Sequence, residues 1–421
     1  MASHVPTKAV ARVTFSSCRH DLFMTTSSTR SLKQAAIAPA VWSAFVLSRL
    51  WVAWFVYLGH GQRPFLAPID GGYAGVGNWW LNAWTLFDSE HFLRIASSGY
   101  TPRTAPFFPL YPALLQPFAP HENAMALWGI FISNLALLAM LTILYALSQR
   151  DVGARGACIA VWLLAFWPTS AVFSAVYTDA LFGAFLLATF WFLRHASWRW
   201  AALFATLAAL TRNTGFLICG ALLLERWHFA QREKNATSPL SSVPLLCEKQ
   251  IPWLTIAAPL LAFLGFQGFL TWRFGGAAGV QNHQLFHRAW MMPWTPLWNE
   301  AVNLFVLQKF NVVALLNWTA TITALFWTWL DRKRQPLALS FLTVAVMLMQ
   351  LSLGRTTSPY TNSSLRLLST TFPYVQNLSR RLGGAQDRVL VKFLLIVFAV
   401  IYVLINAAFS YLFGWKKFVI G

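Results

Sequence analysis

The chain has 421 residues, of which 57% are hydrophobic and only 11% charged, with a formal net charge of +19. Soluble domains carry about 25% charged residues, so a soluble protein is excluded; apolar runs of about 20 residues also exclude a β-barrel, whose strands alternate over about 10. The basic excess fits Lys and Arg gathered in cytoplasmic loops, and no nucleic-acid partner is expected, because no basic stripe alternates with aromatics on a soluble domain.

Residues 1–35 are rich in Ser, Thr and Arg, with Asp21 the sole acid. They read as a basic, disordered cytoplasmic tail, with a transit peptide as the alternative and Met24 as a second possible start. Residues 36–421 read as one integral membrane domain. A first span covers 36–58, and Arg30 and Lys33 before it place the N-terminus in the cytoplasm. Residues 59–105 form a long outer loop. Residues 106–119 are apolar but short and hold Pro106, Pro109, Pro112 and Pro117, which suits a re-entrant or interfacial segment.

The run 127–147 returns to Arg150 and Arg155, 158–176 goes out, and 179–193 comes back to Arg194, His195 and Arg199. Residues 200–224 have basic flanks on both sides around a polar centre, Thr211-Arg212-Asn213-Thr214-Gly215. Two half-helices meeting at that break satisfy the charge rule, whereas a single tilted helix does not. Residues 225–250 form a cytoplasmic loop and 252–272 goes out. The outer loop 273–311 carries Gln281, Asn282, His283, His287 and Trp290. The run 312–330 comes in to Asp331-Arg332-Lys333-Arg334, 336–353 goes out, and 354–388 reads as a polar outer loop. The run 389–413 ends at Lys416-Lys417, expected in the cytoplasm. The pattern predicts an all-α polytopic bundle with about eight full crossings and two or three partial ones. The cysteines Cys18, Cys158, Cys219 and Cys247 form no CxxC pair and point to neither disulfides nor a metal site.

Acids are scarce, 13 in all, yet the first outer loop holds Phe87-Asp88-Ser89-Glu90-His91-Phe92-Leu93-Arg94-Ile95-Ala96. If 88–98 is helical, Asp88, His91, Phe92 and Ile95 share one face and Glu90, Arg94 and Ser97 the other. Glu90 and Arg94 are then an i,i+4 pair, readable as a surface ion pair. Asp88 is left without a local cation. It is either a helix N-cap or a carboxylate able to take a proton from an attacking hydroxyl. His91 reads as an interfacial histidine or a substrate contact. Arg212, embedded in an apolar run, either stabilises an anion or snorkels. Tyr177 and Asp179 either line a cavity or cap the second helix of a pair. No P-loop, GxGxxG, GxSxG or HExxH motif is present.

The 87–96 stretch continues to Gly99-Tyr100 and Ala105-Pro106-Phe107-Phe108-Pro109-Leu110-Tyr111-Pro112. Together these resemble the signature of the PIG-V family, the GPI mannosyltransferase 2 enzymes and their bacterial relatives, which usually have Trp at the position of Phe87. The resemblance extends to Pro168 and Tyr177-Thr178-Asp179-Ala180-Leu181-Phe182, to Thr211-Arg212-Asn213-Thr214-Gly215, and loosely to Leu365-Arg366 and Phe372-Pro373. It implies a GT-C glycosyltransferase fold and a polyprenyl-phosphate sugar donor. It also implies an essential acid in the first outer loop, a place taken here by Asp88. On that reading a hexose, expected to be mannose, passes with inversion to a lipid-linked or surface glycan acceptor on the outer face. Arg212 and Arg366 would hold the departing phosphate. Glu90, His91, Arg94, Tyr177, Asp179 and Asn213 are further substrate-binding candidates. No obligatory cofactor or metal is expected, since positions two apart on a helix diverge and separate Asp88 from Glu90. A bacterial plasma membrane is the expected location, or an endoplasmic-reticulum-type membrane in a eukaryote, with both termini cytoplasmic. The rival reading is a transporter or lipid flippase, which would explain Arg212 but predicts inverted repeats that the sequence does not show.

Overall fold

The computed structural model describes residues 32–62, 76–234, 249–275, 288–309, 311–361, 363–384 and 389–416. Gln281, Asn282, His283 and His287, most of the N-terminal tail and most of the 225–250 loop lie outside these described residues. The protein is an all-α integral membrane bundle. Leu32–His60, Glu122–Ala165, Trp253–Phe274, Val312–Asp331 and Lys392–Gly414 are long and apolar enough to cross a membrane.

Helix α1 (Pro39–His60) is followed by α2 (Asp88–Ser98), which carries the acidic motif. The proline-rich segment forms only a six-residue helix, α3 (Leu110–Leu115), with a single 3-10 turn at Gln116–Phe118. Pro112 and Pro117 lack the amide protons a longer helix would need. Helix α4 (Glu122–Ala165) is two arms joined at Gly153, whose φ of 76° and ψ of 170° break the helix. A residue with a Cβ rarely adopts that φ. The chain reverses there: Ser174 Oγ donates to Asn134 Oδ1 at 2.9 Å, which brings the end of the second arm alongside the first.

Between that arm and α5 (Asp179–Arg194) the chain is irregular, and Arg49 from the middle of α1 holds it. Arg49 Nη2 donates to the Ala165 carbonyl at 2.7 Å, and Nη1 to the Ser170 carbonyl at 2.9 Å and Ser174 Oγ at 3.1 Å. Unpaired carbonyls in an apolar bundle are costly, and a guanidinium supplies enough donors to satisfy several at once.

Helices α6 (Trp198–Thr211) and α7 (Leu217–Lys234) meet at a 3-10 turn, Asn213–Phe216. The polar break at Arg212 therefore separates two helices, as the charge pattern requires. Helix α8 (Trp253–Phe274) packs on α6, and α9 (Trp294–Ala301) precedes α10 (Val312–Asp331) and α11 (Leu337–Ser352).

Residues 354–388 depart from the expected outer loop. They contain α12 (Ser364–Thr370) and α13 (Phe372–Gly384), and α13 packs along α4 through the bundle. Gln376 reaches Ser148 Oγ at 3.1 Å and Asp151 at 3.3 Å, and Arg381 reaches Asp331 at 2.9 Å. Hydropathy reads this stretch as loop because its Gln, Asn, Ser and Arg side chains are polar; in the bundle Gln376, Asn377 and Arg381 pair with polar groups of neighbouring segments. One end of the molecule thus gathers Asp151, bound by Arg194 at 2.6 and 2.8 Å, together with Asp331 and Arg381.

Because α13 runs to that end, α14 (Val389–Gly414) must run back. Lys416 Nζ lies 2.8 Å from Glu90 Oε1, on the end that holds Asp88. The expectation of a cytoplasmic Lys416 opposite an outer Glu90 fails. The error follows from counting 354–388 as a loop, which drops one traverse of the bundle.

Candidate active site

Asp88 is the first residue of α2, not its cap. The cap position belongs to Phe87, at φ 57° and ψ −121°, whose own side chain makes no capping hydrogen bond. A φ in that range favours glycine, so a bulky Phe there is backbone strain maintained by its surroundings. The Asp88 amide donates to Tyr177 Oη at 3.2 Å, which satisfies one of the first-turn N–H groups.

The Asp88 carboxylate turns inward to α12. Its Oδ2 accepts from Arg366 Nη1 at 2.7 Å, with the Asp88 side chain 24% exposed. Asp88 Oδ1 takes no hydrogen bond from the described residues. The same guanidinium donates from Nε to Asp179 Oδ1 at 2.9 Å and from Nη2 to Asp179 Oδ2 at 2.8 Å. Arg366 also lies over the Tyr177 ring, 4.7 Å from its centroid. Asp179, the first residue of α5, is wholly buried, and its Oδ1 meets Arg212 Nη1 at 2.5 Å. Arg212 can reach it because α6 stops there, with backbone at φ −147° and ψ 150°. Three expected candidates on three separate helices are thereby joined to Asp88 in one chain of charge, Asp88–Arg366–Asp179–Arg212. A buried charge is tolerated when paired in this way.

Two further arginines that sequence reasoning missed lie in this region, Arg288 within the field of Asp88, Arg366 and Arg212, and Arg355 beside Arg288. Arg288 donates to Gln350 Oε1 at 3.3 Å and to Ser363 Oγ at 3.4 Å, and is joined to Arg355 by an isolated antiparallel bridge. Burial draws the Arg288 guanidinium down to about 10. Asp88 opposes that shift, while Arg355, Arg366 and Arg212 add to it. Burial likewise lowers Arg355. Three guanidiniums, of Arg212, Arg366 and Arg288, therefore stand near the two carboxylates, an excess of positive charge. The available sequence signal was a pair of arginines in loops expected outside, against the usual bias.

The remaining candidates lie further off. Glu90 is bound to Lys416. His91 stacks on Phe107 with centroids 4.6 Å apart. Burial lowers its pKa, with Asp88 and Glu90 pulling the other way and Arg103 and Arg94 adding to the fall. Arg94 is half-buried on the Glu90 side of α2, and Asn213 opens the 3-10 turn next to Arg212. Among the described residues no group of three or more His, Cys, Asp or Glu side chains could hold a metal. Both Asp179 oxygens are already engaged by arginines.

No family model matches the chain. It is similar to the GPI alpha-1,6-mannosyltransferase 2 of Mus musculus, at 30% identity over 180 residues, covering 38% of this chain and 35% of the mouse protein. The Rattus norvegicus protein of the same name is 28% identical over 214 residues, covering 48% of this chain and 43% of the rat protein. The chain spans about two fifths of the length of these relatives. Among solved structures it is similar to ArnT from Cupriavidus metallidurans bound to undecaprenyl phosphate. That likeness has a TM-score of 0.48 and 12% identity, over 90% of this chain and 77% of that one. The Archaeoglobus fulgidus oligosaccharyltransferase complex with Zn and sulfate gives a TM-score of 0.46 and 12% identity, over 89% and 53%.

Proposed function

We propose that the protein is a membrane mannosyltransferase that moves a hexose from a polyprenyl-phosphate sugar to a lipid-linked or surface glycan acceptor. The observation that carries this reading is Asp88: a partly exposed carboxylate with one oxygen held by Arg366 and the other open, set in a cluster with surplus guanidiniums. The similarity to mannosyltransferases supports the choice of sugar.

Asp88 Oδ1 accepts the proton of the acceptor hydroxyl as that oxygen attacks the anomeric carbon. Arg366 fixes the carboxylate and keeps Oδ2 occupied, so the open oxygen has one direction to face. Attack opposite the departing phosphate inverts the anomeric centre, and a β-linked donor gives an α-glycoside. The bond to phosphate breaks as the new glycosidic bond forms, and negative charge grows on the leaving phosphate. Arg288, which forms no ion pair among the described residues, stabilises that charge together with Arg212. A cluster that brings its own cations, with Asp179 fully committed to arginines, needs no obligatory metal. Lys and Arg crowd the Asp151 end, which the positive-inside rule assigns to the cytoplasm, leaving Asp88 on the outer or lumenal face.

The test is transfer of labelled mannose from polyprenyl-phosphate-mannose by reconstituted protein, wild type beside Asp88→Asn, with EDTA in a parallel arm. Asparagine keeps the shape and can accept from Arg366 but cannot take the proton. A silent, folded Asn variant beside an active, EDTA-resistant wild type supports the reading. Equal turnover by both removes Asp88 from the chemistry.

A further inference from the structure

The end of α14 is not needed to build the ion quartet, yet it converges on the strained turn before Asp88. Phe413 is fully buried, with its ring centroid 5.6 Å from Phe87 and 6.2 Å from Tyr177. Tyr177 is the residue whose hydroxyl receives the Asp88 amide. Three residues beyond Phe413, Lys416 binds Glu90 on the first turn of α2. The far side of the Phe87 turn is therefore covered by one ring from the last helix and one ammonium from the turn that follows it.

The height of α14 is fixed independently. Gly59 of α1 and Gly414 of α14 lie in close backbone contact, and a methyl group on either would strike a carbonyl of the other helix, Tyr411 or Val56. Such small-residue contacts set the register of helices packed in lipid. Lower down, Asn406 Nδ2 donates to the Trp167 carbonyl at 2.6 Å and to Ser170 Oγ at 2.9 Å, and Tyr402 Oη donates to the Leu163 carbonyl at 2.7 Å. These contacts pin α14 lengthwise, so Phe413 and Lys416 arrive at a set level.

A non-glycine residue at φ 57° persists only where its surroundings over-determine it. The Phe87 side chain makes no capping hydrogen bond, so beyond the Tyr177 contact to the Asp88 amide the restraint comes from packing. We propose that Phe413 and Lys416 are positioning residues that clamp the Phe87 turn and thereby aim the Asp88 carboxylate. The assignment rests on the transferase reading for its kinetic consequence but not for its structural one. Glu90 is then a strut for α2 instead of a substrate contact.

The experiment follows full-length protein in lipid nanodiscs by hydrogen exchange of peptides spanning residues 84–95, alongside mannose transfer from polyprenyl-phosphate-mannose. The variants are Phe413→Leu, Phe413→Ala, Lys416→Glu, Glu90→Lys and the double exchange Glu90→Lys with Lys416→Glu. The clamp predicts faster exchange across 87–90 in each single variant. It also predicts kcat lower by about tenfold for Phe413→Ala with donor KM unchanged, the signature of a misaimed group and not of weaker binding. The double exchange restores both the protection and most of kcat, which neither a substrate-binding Glu90 nor a general loss of folding would do. Phe413→Leu keeps a buried apolar group, so it gives a folded variant with a smaller effect of the same sign. Unchanged protection in Phe413→Leu and both charge variants overturns the clamp. Changed protection with a wild type that transfers no mannose upholds the clamp and overturns the transferase reading.

Discussion

Arg366 grips Asp179 through two parallel bonds, 2.9 Å from Nε and 2.8 Å from Nη2, while Asp179 is completely removed from the surface. This pair is the keystone of the candidate site, since Arg366 then has one nitrogen left for Asp88 and Arg212 closes the other flank.

Asp179→Asn leaves two guanidiniums facing each other without their shared anion. Breaking a buried pair by removing one partner costs about 3–5 kcal/mol. The expected outcome is a sharp fall in the folded fraction in thermal unfolding monitored by size-exclusion chromatography. Combining it with Arg212→Gln, which removes the second cation, recovers part of that loss.

Arg288→Gln keeps a hydrogen-bonding side chain but removes a charge that has no carboxylate of its own. A hydrogen bond to an ionised group contributes about 1.5–3 kcal/mol, which at the leaving phosphate of the proposed reaction corresponds to roughly a 10- to 100-fold loss in kcat/KM for the proposed donor. Thermal stability should be nearly unchanged. Steady-state kinetics against donor concentration, with unfolding measured on the same preparation, separates the two.

His91 gives a pH dependence with a definite sign. Its pKa in the folded protein is lowered, chiefly by burial against Phe107 and its neighbours. The unfolded chain therefore binds the proton first as pH falls below about 6.5, the ordinary value, and stability drops until the folded form also titrates. Above that value the contribution is fully present. His91→Phe, which preserves the stack, should flatten the fall in melting temperature between pH 7 and pH 5.

Arg49→Leu removes donors from four acceptors at the irregular 165–174 segment, two of them carbonyls. Each buried acceptor left unpaired costs about 1–3 kcal/mol, so this variant should be among the more destabilised in the bundle. Arg49→Lys, with three donors on a point charge, should recover only part of the loss. Thermal unfolding in detergent and in nanodiscs measures both.

Much of the site was legible in the sequence because ionisable residues are so costly in an apolar chain that each one carries information. Asp88, Tyr177, Asp179, Arg212 and Arg366 were each singled out, and the structure brings all five together. The helix break at Arg212 followed from charge on both flanks. What local pattern could not show was pairing between distant segments. Asp88 reads as uncompensated until α12 is known to lie beside it. Helix α13 reads as loop until Gln376, Asn377 and Arg381 are seen to find Asp151, Gln335 and Asp331 inside the bundle. Arg288 looked like an ordinary loop residue because its nearness to Asp88 and Arg366 arises only in the fold.

The burial of polar side chains along α13 also bears on how the molecule is made. A segment whose Gln376, Asn377 and Ser379 are all hidden from the surface is a poor guest for bare lipid. It is accommodated only where α4 and α10 already offer partners. Asp179 and Arg212, by contrast, sit at the facing ends of neighbouring helices synthesised close together, so the nascent chain can neutralise that acid early. Arg366 arrives much later, carried in ahead of α13. The final bond of the quartet, to Asp88, joins one of the first parts of the described chain to be synthesised with one of the last. The quartet thus stays incomplete until α12, far along the polypeptide, has been threaded into the membrane.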